Sequence, residues 1–236
     1  MKKIYIFSYG LYPGQLTLET LAAMRECGAI YTHCLDAASA RHFSKFAPGL
    51  KLTQGLGRRE AALAAVAALK KHKTVGFLTY GNPLFLNQTA AEVMAASAKK
   101  KARVRVFAAV SSFDAIVNLF NLNNFSIRGL RVVDTATLMD DRAFTPDMDT
   151  LFFVPCALNR PANAAAKKRF IAAAAKAYPP SAQVYLADCA SVACGEPRVT
   201  KGHMRDFSGL LSKLNERHTL FIPAVAPKIK KKPGAK

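Results

Sequence analysis

The chain reads as an α/β protein whose first part is a mainly parallel sheet wound with helices, followed by a second unit. Three observations predict this. Apolar runs of strand length alternate with longer, Ala-rich helical stretches, the rhythm of βαβ units. One of those runs, beginning at Thr74, stops abruptly at Tyr80-Gly81-Asn82-Pro83, where Gly permits positive φ and Pro supplies no N–H donor. The rhythm then changes character after Asn121-Leu122-Asn123-Asn124.

In order, Ile4 to Phe7 is a strand, and Ser8-Tyr9-Gly10-Leu11-Tyr12-Pro13-Gly14 is a loop rich in turn formers. Thr17 is suited to cap a helix carrying Leu18, Leu21, Ala22 and Met24, with Gly28 closing it. A short strand over Ala29 to Thr32 precedes a helix from Ala37 to Phe46, and Arg58 to Lys71 is helical by propensity. The strand from Thr74 is expected to be an inner one, with a helix following over Asn87 to Lys100. Arg103 to Phe107 alternates charged and apolar residues, as a more exposed strand does. Ala108 to Asp114 is a small-residue turn in which Ser111 or Ser112 caps a helix whose apolar face holds Ala115, Ile116, Leu119 and Phe120. In the second unit, Leu130 to Val133, Thr150 to Val154, Val184 to Ala187 and Thr219 to Ile222 read as strands. Asn163 to Ala177 and Asp206 to Leu214 read as helices. Domain limits of 1–112 and 113–223 follow, with a mobile Lys- and Pro-rich tail over 224–236.

Composition narrows the chemistry. Of 236 residues 51% are apolar, which is enough for a buried core, and no apolar stretch has the length of a membrane span. Met1-Lys2-Lys3 runs straight into the first strand without a signal-peptide core, so a soluble cytoplasmic protein is expected. Cys27, Cys34, Cys156, Cys189 and Cys194 are odd in number and form no CxxC, and the histidines form no HExxH, so neither disulfides nor a metal site is expected. The net charge of +19 is concentrated in runs such as Lys70-Lys71-His72-Lys73 and Lys99-Lys100-Lys101. Such charge suits a solvated surface or an acidic partner; no RNP, HTH, KH or zinc-finger pattern selects a nucleic acid. There is no GxSxG elbow, P-loop or complete GxGxxG. What remains is three turns at strand ends, around Gly10, Gly81 and Ser111, which offer backbone groups and few ionisable side chains. That arrangement suits a cofactor that carries its own reactivity.

With those motifs in place, the chain from Ile4 to about Pro223 resembles the tetrapyrrole methylase superfamily of S-adenosylmethionine-dependent methyltransferases. Ile6-Phe7-Ser8-Tyr9-Gly10 with Leu16-Thr17-Leu18-Glu19-Thr20-Leu21 is similar to that family's opening glycine loop and Leu-Thr helix. Tyr80-Gly81-Asn82-Pro83 is similar to its Gly-Asp-Pro turn, Val110-Ser111-Ser112 to its Pro-Gly-x-Ser-Ser segment, and Thr219-Leu220-Phe221-Ile222-Pro223 to its closing strand. Within it, Tyr80 to Phe85, Ser111 to Asp114 and Asp134-Thr135-Ala136-Thr137-Leu138 most resemble the borosin-type branch, which methylates backbone amide nitrogens of a peptide.

The resemblance implies a mixed sheet in the C-terminal domain, S-adenosylmethionine as cofactor in an interdomain cleft, a homodimer, and a separate precursor peptide as substrate, because the Lys-Pro tail holds no apolar core peptide. It implies cofactor contacts from Gly10, Tyr80, Gly81, Asn82, Phe85, Val110, Ser111, Ser112, Cys156, Ala187, Thr219 and Leu220. Tyr9, Tyr12 and Tyr80 are the phenols placed to serve the acceptor, and Arg58 or Arg59 the cation. The chain departs from the family pattern at Ser8, Asn82 and Ala108-Ala109, and has no tyrosine between residues 32 and 79. Two rival readings follow: methylation of a tetrapyrrole or other small molecule, and a degenerate protein that binds cofactor or RNA without catalysis.

Overall fold

The computed structural model describes every residue except 44, 48, 124–128, 193–194 and 226–236. It divides into two compact units, Met1–Asn118 with Ala190–Gly195, and Leu119–Cys189 with Glu196–Lys236. Nearly all of the tail expected over 224–236 lies outside the described residues.

The first unit is built on β1 (Lys3–Ser8), α1 (Leu18–Arg25), β2 (Ala29–Thr32), α2 (Ala37–Ala40), β3 (Leu50–Leu52), α3 (Arg58–Ala67), β4 (Thr74–Thr79), α4 (Gln88–Lys99), β5 (Arg103–Val106) and α5 (Ser112–Leu119). Its sheet runs β3-β2-β4-β1-β5, and every pairing is parallel. The strand beginning at Thr74 is central, and all six of its residues are buried. Parallel pairing requires crossovers, and the helices that supply them cover both faces. On one face Ile4, Ile6, Val75 and Phe77 pack against Ala62, Ala65 and Val66 of α3 and Ala90 and Val93 of α4. On the other, Tyr5, Phe7, Ile30 and Leu78 meet Ala23 and Met24 of α1 and Phe43. Gly76 interrupts the apolar run because a Cβ there would lie 2.5 Å from Phe7 Cζ and 3.1 Å from Ile30 Cγ1.

Helix ends follow local chemistry. Thr17 caps α1 through Oγ1, which accepts the Thr20 amide at 3.0 Å, as expected. Gly28 plays a different part from the expected helix closure. The helix ends at Arg25, and Gly28 is needed because a Cβ would sit 2.4 Å from His72 Nδ1. The helix expected from Ala37 to Phe46 is shorter, an α-turn capped by Asp36 continued as 3-10 helix over Arg41–Phe43.

The second unit contains β6 (Leu130–Asp134), β7 (Asp149–Phe153), α6 (Ala164–Ala177), β8 (Gln183–Asp188), β9 (Arg198–His203), α7 (Phe207–Ser212) and β10 (His218–Ile222). Its sheet is mixed, ordered β6-β7-β10-β8-β9, with β6 parallel to β7 and the other pairs antiparallel. Phe170 of α6 anchors the core, with ring centroids 4.6 Å from Phe144, 5.7 Å from Phe152 and 6.1 Å from Phe207. No helix among the described residues is long and apolar enough to cross a membrane.

Candidate functional site

In a parallel sheet the loops that follow the strands gather at one edge, where the ladder ends and backbone groups become available to a ligand. Register sets that edge here. Ser8 lies opposite Thr79, and Thr32 opposite Leu78, so Gly10, Gly81 and the segment after Thr32 leave the sheet side by side.

The first two glycine turns touch directly: the Gly81 amide donates to the Gly10 carbonyl at 3.0 Å. Both glycines have positive φ, +70° at Gly10 and +63° at Gly81, a region L-residues avoid. The third turn arrives beside them, since a Cβ on Gly81 would have Ser111 Cα as its nearest neighbour at 3.9 Å. The structure therefore brings together Gly10, Gly81 and Ser111, three segments 30 to 101 residues apart in sequence.

The two glycines differ in what surrounds them. The Gly10 loop is closed on itself: its amide donates to Ser8 Oγ at 3.0 Å, and the Leu11 amide to Gln15 Oε1 at 2.7 Å. A Cβ on Gly10 would lie 2.6 Å from that same Gln15 oxygen. Ser8, a departure from the family pattern, thus supplies an internal acceptor. A Cβ on Gly81 by contrast would meet only the Ser111 backbone and side chain, at an ordinary contact distance of 3.9 Å, without a clash. Asn82 fixes the turn by accepting the Leu84 amide on Oδ1 at 2.9 Å and the Phe85 amide on its carbonyl at 3.0 Å. Asn87 then caps α4 through the Ala90 amide and donates Nδ2 to Thr79 Oγ1 at 2.6 Å, tying the helix to the end of β4.

Ser111 is buried and caps α5. Asp114 Oδ2 accepts both its amide and its hydroxyl at 2.7 Å, and the Ala115 amide bonds the Ser111 carbonyl. The Ser111 hydroxyl is therefore committed to the cap. The rings of Phe85 and Phe113 meet at a tilt of 54°, with centroids 6.1 Å apart, across the Gly81 and Ser111 turns. Val110 is half-buried and Ser112 opens α5.

The proposed acceptor groups divide sharply. Tyr9 is 3% exposed, with its ring 4.7 Å from Phe43, and burial beside the Cys34 thiol pushes its hydroxyl pKa far above the ordinary phenol value. A phenol so hard to ionise is suited to packing and not to removing a proton. Tyr12 and Tyr80 remain 39% and 40% exposed. Arg58 opens α3 and donates to Gln88 Oε1 at the start of α4.

Beside Arg58 lies His33, which sequence reasoning passed over because it belongs to no motif. It directly follows β2. Its Nε2 is 3.0 Å from Thr89 Oγ1 and its ring stacks on Phe77 at 5.7 Å, while Nδ1 is buried with no hydrogen-bond partner among the described residues. Burial, and then the Arg58 charge, hold its pKa below the ordinary imidazole value.

The remaining predicted cofactor residues lie in the second unit. Ala187 and Thr219 are paired across β8 and β10, and Leu220 is wholly buried in that unit's core. Leu220 therefore has no side-chain surface to offer a ligand. Cys156 sits in the 3-10 turn Pro155–Asn159, and burial raises its thiol pKa. No cluster of side chains suited to a metal ion occurs among the described residues.

The fold is shared with solved methyltransferases. The chain superposes on the methyltransferase CobJ with a TM-score of 0.72 at 15% identity, covering 96% of this chain and 95% of that one. On the cobalt precorrin-4 methyltransferase CbiF the TM-score is 0.69 at 14% identity, with 94% of each chain covered. On a uroporphyrin-III C-methyl transferase from Thermus thermophilus, solved with S-adenyl homocysteine, it is 0.66 at 17% identity, covering 94% and 97%. At such identities the likeness is one of fold. No curated protein sequence matches the chain significantly. A family model does, over residues 3–191, a span holding all three turns and most of both sheets. The chain belongs to the tetrapyrrole (corrin/porphyrin) methylases, and is thereby an S-adenosylmethionine-dependent methyltransferase.

Proposed function

We propose that this enzyme methylates a neutral acceptor, the backbone amide nitrogen of a separate peptide, as a borosin-like homodimer. One observation carries the choice of acceptor. The chain has 34 Lys and Arg residues, yet none lies within 8–24, 74–98 or 106–127, the segments that hold the three turns, and Arg58 and Arg59 are the cations that open α3 at the same edge. A tetrapyrrole bearing several carboxylates calls for cations at its binding surface. The large apolar and phenolic side chains exposed on the Gly10 and Gly81 turns are Tyr12, Tyr80, Leu84 and Leu86, at 39%, 40%, 61% and 41%. An apolar and phenolic rim suits peptide side chains. The resemblance of Tyr80 to Phe85 and of Ser111 to Asp114 to the borosin branch supports the same choice, and is the ground for the dimer.

The Gly81 turn fits a bound cofactor: it presents backbone without a side chain at a φ of +63°, and hydrogen bonds to Gly10 and from Leu84 to Asn82 fix its shape. S-adenosylmethionine supplies an activated sulfonium methyl. The protein's task is to align the acceptor nitrogen with it and exclude water. An amide nitrogen is a poor nucleophile and needs its proton removed or its imidate oxygen stabilised. Tyr12 and Tyr80 are the exposed phenols on the turns, and Arg58 is the cation at the same sheet edge.

Co-expression with peptides encoded beside the enzyme, read by tandem mass spectrometry, tests the reading. Methyl groups on backbone nitrogens are the expected result. Unmodified peptides together with turnover of a tetrapyrrole would overturn it.

A further inference from the structure

The opposite edge of the same sheet has the reverse character. There β1, β4 and β5 begin side by side, with Lys3 opposite both Thr74 and Arg103, and adjacent strands stand about 4.8 Å apart. Backbone bonds knit the approaching segments together: the Lys3 amide donates to the Lys73 carbonyl at 2.9 Å, and the Arg103 amide to the Lys2 carbonyl at 3.0 Å. Onto this edge come the ends of the covering helices. Lys70 and Lys71 follow α3, Lys99 ends α4 with Lys100 and Lys101 after it, and Arg25 finishes α1. Every one of these cations except Lys3 is exposed, and none forms an ion pair among the described residues.

Ordinary helix-end preference explains a cation or two per helix. It does not explain the imbalance. The edge gathers ten Lys and Arg residues and one carboxylate, Glu26, which accepts the Tyr5 hydroxyl at 2.7 Å. The other five carboxylates of residues 1–118 lie on early turns of helices or cap one, toward the site edge. Among the described residues, Met1 is the only large apolar one exposed beside these cations. A protein partner would use apolar or aromatic anchors, which are missing here.

We propose that this basic edge binds the phosphate backbone of a nucleic acid without reading its sequence. Lysines dominate it, and as compact point charges they meet phosphates without the planar geometry that reads bases or carboxylates. Nor, among the described residues, does the edge carry an exposed aromatic platform for stacking bases. The six residues of β4, about 20 Å of strand, separate it from the Gly81 turn, so occupancy of one leaves the other free.

The test is fluorescence anisotropy with labelled RNA and duplex DNA of about 20 nucleotides and unrelated sequences, at salt from about 50 to 200 mM. With about five phosphates engaged, log affinity falls with log salt at a slope of about −3.5 for single strands, irrespective of sequence. A variant carrying Lys70→Gln, Lys71→Gln, Lys99→Gln and Lys100→Gln is compared with one carrying Lys168→Gln, Arg169→Gln, Lys176→Gln and Lys213→Gln, which loses the same charge from exposed positions of the other unit. Both are checked by thermal melting. The first should bind at least about tenfold more weakly with a shallower slope, and the second within about threefold of the parent. Equal weakening by both variants, no binding at low salt, or displacement by polyglutamate as effective as by unlabelled RNA would each overturn the proposal.

Discussion

Replacing Gly81 and Gly10 separately by alanine tests how the two touching turns share their work. Both substitutions force an L-residue to φ of +63° or +70°, a strain of about 1–2 kcal/mol. For Gly81→Ala that is nearly the whole cost to folding, since the new methyl meets nothing nearer than 3.9 Å. For Gly10→Ala the methyl lands 2.6 Å from Gln15 Oε1, so Gln15 must move and the Leu11 amide loses its acceptor, adding about 1–3 kcal/mol. Denaturant unfolding should thus show Gly81→Ala destabilised by about 1–2 kcal/mol and Gly10→Ala by about 2–5 kcal/mol. Cofactor affinity should order the other way. Calorimetric titration should find Gly81→Ala weakened by at least about tenfold, about 1.4 kcal/mol, because its methyl enters the space assigned to the ligand, and Gly81→Val should abolish binding. Unchanged affinity in folded Gly81→Ala would refute the placement of the cofactor at this turn.

Other outcomes follow from the same contacts. Asp114→Ala removes the acceptor of both Ser111 donors and should cost about 1 kcal/mol of stability, read by denaturant midpoint. Gly76→Ala, driven into Phe7 Cζ at 2.5 Å, should cost about 1–3 kcal/mol, and no loss would mean the central strand is packed otherwise. His33 and His218 both have pKa values lowered first by burial, so the unfolded chain takes up protons that the folded one refuses. Stability should fall as pH drops below about 6.5, and His33→Gln should flatten that dependence; a slope of opposite sign would exclude the buried neutral ring.

The fold's architecture was largely legible because each central strand is a continuous apolar run closed by a turn former. The two strands the sequence did not reveal are both exposed. Leu50–Leu52 is half-exposed with a lysine at its centre, and Arg198–His203 has four exposed residues in a row. Edge strands of that kind are held by backbone pairing, which leaves no apolar pattern. In the second, Gly202 is set by packing alone, because a Cβ would meet Leu210 Cδ1 at 2.6 Å. The return of Ala190–Gly195 to the first unit, fastened by the Val192 amide on the Leu11 carbonyl at 3.0 Å, is likewise a non-local pairing without a local signal.

At the site, the turn formers Gly10, Gly81 and Asn82 announced themselves, since positive φ and side-chain-capped turns restrict residue choice. What their side chains do once folded was not readable. Burial of Tyr9 and commitment of the Ser111 hydroxyl to Asp114 depend on neighbours far along the chain or on helix geometry. His33 shows the converse, a polar group whose interest arises only from the phenylalanine and threonine packed around it.

The most direct test of the central claim is calorimetric titration of the purified protein with S-adenosylmethionine and S-adenosylhomocysteine. Micromolar binding of either, lost in Gly81→Val, is the predicted result; no binding of either to the folded parent protein would contradict it.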